Sequence, residues 1–158
     1  MNSKLDQTDC QILQILQDHA KITNIQLAER IALSPASTLE RVKKLENQGI
    51  IKSYHAKLDP TQLSLTTTLW LHVWLHSLTT TNIAIFQEAI KNIPAIIACH
   101  QVMGDADFLA QVITSDLAAY QNILINQLSP ISAIKRIKTH MHVATLKESG
   151  MPITSVLG

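Results

Sequence analysis

Residues 22–51 read ITNIQLAERIALSPASTLERVKKLENQGII, and this stretch decides how the N-terminal part of the chain folds. Thr23 followed by Gln26 is a T-x-x-Q capping box, in which each side chain accepts the other residue's backbone N–H at a helix start. Leu27, Ala28 and Ile31 give that helix an inner stripe. Ser34 is a good N-cap, and Pro35 after it suits the first helical position, where a missing N–H does no harm. Leu39, Val42 and Leu45 recur every three residues and are expected to face the core. Gly49 marks the end of this helix, since a glycine just past the last turn accepts the left-handed backbone found there. Two capped helices joined by a short Ser-Pro turn make a helix-turn-helix. Residues 50–58 are expected to follow as a β-ribbon wing.

Upstream, Asp6 can cap a first helix with Asp9 three residues on, and Ile12, Leu13 and Leu16 share one face at helical spacing. By elimination, Ser37, Thr38, Arg41 and Lys44 point away from the core. With Ser34 at the helix start and Lys52 on the wing, they form the candidate DNA-contacting set. Small hydroxyl residues can approach bases and phosphates closely, and an arginine one turn later can reach a guanine edge or a phosphate. Capped helices with a basic outer face also occur in protein-interaction modules, so this pattern alone leaves a winged helix that binds no DNA as the other reading.

The 158 residues carry 13 Lys and Arg against 12 Asp and Glu, a net charge of +1. DNA contact therefore requires local clustering rather than a global field. Arg41, Lys43, Lys44, Lys52 and Lys57 supply it against Glu40 and Glu46. The two cysteines, Cys10 and Cys99, fit neither a metal-ligand spacing nor a disulfide framework, and free thiols suit a reducing compartment. No apolar run is long enough to span a bilayer and no signal core opens the chain, so a cytoplasmic protein without membrane contact is expected.

Lys57-Leu58-Asp59-Pro60 reads as a hinge dividing residues 1–60 from 61–158, because Pro60 blocks strand continuation. Beyond it, residues 69–76 alternate strictly. Leu69, Leu71, Val73 and Leu75 lie on one face of a strand, with Trp70, His72, Trp74 and His76 on the other. A face of tryptophan and histidine is too apolar to be left in water, so it is the expected dimer surface. Residues 81–93 read as a helix with Ile83, Phe86, Ile90 and Ile93 in one stripe. Residues 96–103 and 108–114 read as strands around the turn Gly104-Asp105-Ala106-Asp107. Asp116 can cap a second helix with Leu117, Tyr120, Leu124 and Leu128 inside. Residues 134–145 close the module as a strand, with Ile137, Thr139, Met141 and Val143 on one face. The order βαββαβ is a ferredoxin-like split unit, one sheet face under two helices and the other free. The fold class is α+β: an N-terminal winged helix-turn-helix and a C-terminal ferredoxin-like domain.

At this point the chain resembles the Lrp/AsnC, or feast/famine, family of transcription regulators. Leu5-Asp6-Gln7-Thr8-Asp9 with Ile12-Leu13 is similar to that family's opening helix. Leu33-Ser34-Pro35, Leu39, Arg41-Val42, Leu45 and Gly49-Ile50-Ile51 are similar to its recognition helix and wing entry. Residues 99–108, CHQVMGDADF, resemble the central motif of its effector (RAM) domain. The resemblance implies double-stranded DNA as one partner and an amino acid or related metabolite as effector, with no other cofactor. It also implies dimers formed through the sheets and assembled into tetramers or octamers. Mapped onto this sequence, the effector site would comprise Gly104, Asp105, Ala106 and Asp107, with Thr139 on the last strand. A glycine-containing turn exposes N–H groups that can receive a carboxylate, and an Asp or Thr nearby can bind an α-amino group. Asp105 and Asp107 equally suit an ordinary tight turn. Ala106 stands where the family usually has a large aromatic residue.

Two other readings use the same residues. His72, His76, His100, His140 and His142 invite a metal- or pH-sensing regulator, since imidazoles bind Zn, Cu or Ni and titrate near neutrality. An Lrp-like siroheme decarboxylase shares the architecture, and Leu69-Trp70-Leu71 only approximates the segment expected of it. Neither displaces a non-enzymatic regulator as the expectation.

Overall fold

The computed structural model describes residues 5–153 and divides into two compact units. The division falls between Leu58 and Asp59, close to the hinge. Residues 147–153 group with the first unit, whereas the sequence places them with the second.

The first unit is built on three helices, α1 (Gln7–Asp18), α2 (Asn24–Arg30) and α3 (Pro35–Asn47). Each start is capped as its sequence requires. Asp6 and Asp9 form a reciprocal capping box, as do Thr23 and Gln26, and the Ser34 hydroxyl accepts the Ser37 N–H. Helix α3 is followed, past its C-cap Gln48, by Gly49, which adopts φ +69. The N–H groups of Ile50 and Ile51 turn back to the Leu45 carbonyl. Ile12, Leu27, Ile31 and Leu45 make the core, with Leu13, Leu16 and Val42 packed against it.

Two expectations fail here. Leu39 is 43% exposed, and Thr38 takes the core position instead, with no exposed surface. Three residues advance a helix by about 300°, so a spacing of three drifts roughly 60° per step and Leu39 lies far round from Leu45. Thr38 is seven residues from Leu45, two near-complete turns, and shares its face. The second is the strand character expected of the wing: residues 50–58 form no strand, and no segment among the described residues pairs with them as a ribbon partner.

The second unit is the expected βαββαβ. Its elements are β1 (Thr67–Leu75), α4 (Thr80–Lys91), β2 (Ile96–Gln101), β3 (Phe108–Thr114), α5 (Leu117–Ile123) and β4 (Ile134–Met141). A wider turn at Leu124–Leu128 continues α5. The strands run antiparallel in the order β2-β3-β1-β4. Alternation along β1 buries Leu69, Leu71, Val73 and Leu75 against Phe86 and Ile93 from α4 and its end, and against Tyr120 and Ile123 of α5. The helices thus cover one sheet face and leave the other free. Leu117, expected inside, is exposed at the first residue of α5. Strand β4 stops at Met141, and Val143 beyond it is 94% exposed. No helix among the described residues is long and apolar enough to cross a membrane.

Candidate functional site

In the first unit, the residues facing away from the core of α3 decide what it can touch. Thr38, expected among them, faces inward, and its hydroxyl donates to the Ser34 carbonyl at 2.9 Å. Arg41 is also drawn inward. Its Nη1 lies 2.6 Å from Asp6 Oδ2 and 2.7 Å from Asp9 Oδ1, and the Asp9 side chain is 3% exposed. The two carboxylates hold the guanidinium above its ordinary pKa. The Asp6 carboxyl is held below its ordinary range, first by the Asp9 N–H it accepts and then by Arg41, against some opposition from burial. Arg41 thus fastens α3 to the start of α1. Ser34, Ser37, Lys44 and Lys52 are exposed as expected, although the Ser34 and Ser37 hydroxyls bond each other at 3.0 Å. Lys57 pairs with Glu148 at 2.5 Å. The straight outward line of α3 is Ala36, Glu40, Lys43 and Asn47, all exposed; none belongs to the DNA-contacting set read from the sequence, where Lys43 entered only as part of the basic cluster. A strict 3.6-residue period, applied with Thr38 as a core position, would have found them.

In the second unit, the Gly104–Asp107 turn is held by three hydrogen bonds at Asp107, two of them to β1. The Asp107 N–H donates to the Val73 carbonyl at 3.1 Å, the Asp107 carbonyl accepts the Val102 N–H at 3.0 Å, and Asp107 Oδ2 accepts the Leu75 N–H at 2.8 Å. Gly104 adopts φ +149, a conformation that side chains rarely allow. Asp105 is exposed, and its carbonyl accepts the indole N–H of Trp74. Ala106 is buried. Thr139 is not brought to this turn. It sits on β4 opposite Leu71, on the far side of β1 from β3, and its hydroxyl bonds that of Tyr120. What does gather near the turn is a cleft of about 320 Å3 lined by Trp74, Ser77, Asp107, Lys135 and Arg136, among others. One carboxylate and two cations share its walls. Lys135 and Arg136 were not among the residues read from the sequence. They precede Ile137 on β4, and only the β1–β4 register places Arg136 opposite Trp74.

The free sheet face carries Trp70, His72 and Trp74, each half-buried, while His76 lies just past the strand and is exposed. The Arg136 guanidinium stacks 4.8 Å from the Trp74 ring centroid. The His72 and His140 rings lie 4.8 Å apart. Among the described residues no group of three His, Cys, Asp or Glu could hold a metal ion. Burial raises the pKa of both thiols, with the charges of Asp9 and Asp6 adding to the effect at Cys10.

Comparison with known proteins adds to this geometry. A profile described as winged helix-turn-helix DNA-binding matches residues 5–52, and one described as Lrp/AsnC ligand binding domain matches residues 68–152. The Bkd operon transcriptional regulator of Pseudomonas aeruginosa is 37% identical over 137 residues, 87% of this chain and 90% of that protein. The leucine-responsive regulatory protein of Rhizobium meliloti is 32% identical over 146 residues, 92% of this chain and 94% of that one. A transcriptional regulator of Neisseria meningitidis, solved as its L-Met complex, matches with a TM-score of 0.92 at 28% identity, over 96% of this chain and 99% of that chain.

Proposed function

Since the chain belongs to the Lrp/AsnC family of DNA-binding transcriptional regulators, we propose that it reads specific DNA through α3 and answers to an amino acid or a close relative of one. The observation that carries the effector reading is the cleft beside the Gly104–Asp107 turn. Asp107 offers a carboxylate for an ammonium group, and Lys135 and Arg136 offer cations for a carboxylate, the two ends of a zwitterion. The Gly104 turn adjoins it, whereas Thr139 lies elsewhere on the sheet and drops out of the proposed set. The L-Met held by the Neisseria regulator supports the same ligand chemistry.

In this reading the free sheet face with Trp70, His72 and Trp74 joins two copies, and dimers assemble further into tetramers or octamers. A dimer presents two α3 helices to successive major grooves of a pseudo-palindromic site. Ser34 and Ser37 at the helix start, Lys44 on its flank and Lys52 after it contact backbone and base edges. The effector acts by binding one assembly more tightly than another. The protein then works in the cytoplasm as a regulator, without catalysis. The siroheme-decarboxylase alternative requires porphyrin binding, which an absorbance titration checks directly.

The test is sedimentation and gel shift with the protein's own promoter DNA against a panel of free amino acids. Salt-sensitive binding altered by one amino acid, and lost from effector control in Asp107→Asn, supports the reading. DNA binding indifferent to every amino acid removes the effector half of it.

A further inference from the structure

Helix α3 carries an acidic side chain where a DNA-binding helix is expected to avoid one. Its orientation in the first unit is fixed by Thr38 and Leu45 in the core and by Arg41 on Asp6 and Asp9. Directly opposite that buried line stand Ala36, Glu40, Lys43 and Asn47. In a helix-turn-helix, the N-terminal part of the second helix enters the major groove. Ala36 and Glu40 are thereby the outward residues closest to base edges, and Ala36 is too small to hold the helix away. Glu40 is exposed and has no hydrogen-bond or ion-pair partner among the described residues, although Lys43 and Lys44 follow within a turn.

A free carboxylate between two rows of phosphates is repelled wherever it meets no donor. It accepts hydrogen bonds and can give none. Guanine presents N7 and O6, both acceptors, to the major groove, and thymine presents O4 and a methyl group. Adenine offers its N6 amino group, but with the N7 acceptor beside it. Cytosine offers the N4 amino group with no acceptor of its own in that groove.

We propose that Glu40 is a specificity-determining residue that accepts a hydrogen bond from the N4 amino group of a cytosine in each half-site. This rests on the DNA-binding reading above. Selectivity at that position comes as much from rejection of other bases as from attraction, because guanine and thymine offer the carboxylate no donor and adenine sets the N7 acceptor beside its amino group.

The experiment is selection from a randomised duplex pool by the full-length protein, by Glu40→Gln and by Glu40→Ala, with thermal unfolding confirming that all three fold. The wild type is expected to enrich a motif with cytosine at one symmetry-related position per half-site. Glu40→Gln should move that position to adenine, the base that a glutamine amide reads through N6 and N7. Glu40→Ala should relax it, losing roughly 5- to 150-fold of discrimination there while binding unrelated DNA more tightly. A wild-type motif left unchanged by both variants overturns the assignment of Glu40. A wild type that enriches no motif instead overturns the DNA-binding reading beneath it.

Discussion

Replacing Arg41 with alanine removes a guanidinium that two carboxylates share, one of them almost wholly buried. Exposed pairs are worth about 1 kcal/mol or less, and a buried carboxylate left alone costs roughly 3–5 kcal/mol, so a loss near ~2 kcal/mol in a denaturant titration is expected. Unchanged stability with a large loss of specific DNA affinity would return Arg41 to the role of base reader. The same cluster should shape acid unfolding. Asp6 titrates below its ordinary range, so its contribution is complete above the unfolded carboxyl pKa, near ~3.9, and disappears as pH falls through the lower folded value. Asp6→Asn should therefore flatten the acid limb of the stability profile below about pH 4. These roles were only half legible in the sequence. The caps at Asp6, Thr23 and Ser34 follow from local chemistry and could be read in order. The inward turn of Arg41 depends on where α1 places two carboxylates 32 and 35 residues away along the chain, and local spacing does not encode that. Thr38 hid for a different reason: a hydroxyl looks polar until its partner, the Ser34 carbonyl one turn back, is known.

At the scale of elements, two left-handed residues bracket the recognition helix and predict opposite effects. Gly49, with φ +69, follows the end of α3, and a Cβ there would meet open space. Gly49→Ala should thus cost about 1 kcal/mol from backbone strain alone. Ala32, in the turn before α3, holds φ 55 with a side chain. Ala32→Gly relieves that strain and should stabilise the first unit by up to ~1 kcal/mol, less the extra freedom that glycine gains when unfolded. Paired thermal melts read both; equal signs would refute the account. The glycine could be anticipated from sequence because helices commonly end that way, whereas the alanine could not, since nothing about its identity announces a positive φ. The strand of the second unit offers a readout of its own. The Trp74 indole donates to the Asp105 carbonyl, so the free sheet face and the proposed effector turn are joined by one hydrogen bond. An amino acid entering the cleft should change tryptophan fluorescence. Trp70→Phe should keep that response and Trp74→Phe should abolish it; a response carried by Trp70 alone would place the ligand elsewhere.

At the scale of the whole molecule, the order of strands and helices was legible because each repeats with its own period, and the path of the last residues was not because they have none. The run KESGMPITSVLG alternates nothing and caps nothing. Its described part nevertheless completes the first unit. The Met151 N–H donates to Gln17 Oε1 at 2.6 Å, and Gln17 Nε2 donates back to the Met151 carbonyl at 3.2 Å, so one side-chain amide pairs with the main chain as a neighbouring strand would. Gly150 must pass close by, since a Cβ there would fall 2.7 Å from Gln17 Oε1. Ile153 is buried at 8% exposure, and it lines an apolar groove with Leu13, Leu16 and Ile51. Truncating a buried isoleucine to alanine usually costs 2–5 kcal/mol, and about 2 kcal/mol is expected for Ile153→Ala, whose side chain lines an open groove. The place where that loss shows is the test. Both tryptophans lie on β1, so tryptophan fluorescence follows the second unit, while three of the helices that dominate circular dichroism belong to the first. Ile153→Ala should lower the midpoint of the helical transition and leave the fluorescence midpoint where it was. A shift in neither would mean that the tail contributes nothing to the DNA-binding unit. An equal shift in both would mean that the two units unfold as one body, and that a change made beside α1 is felt at the sheet.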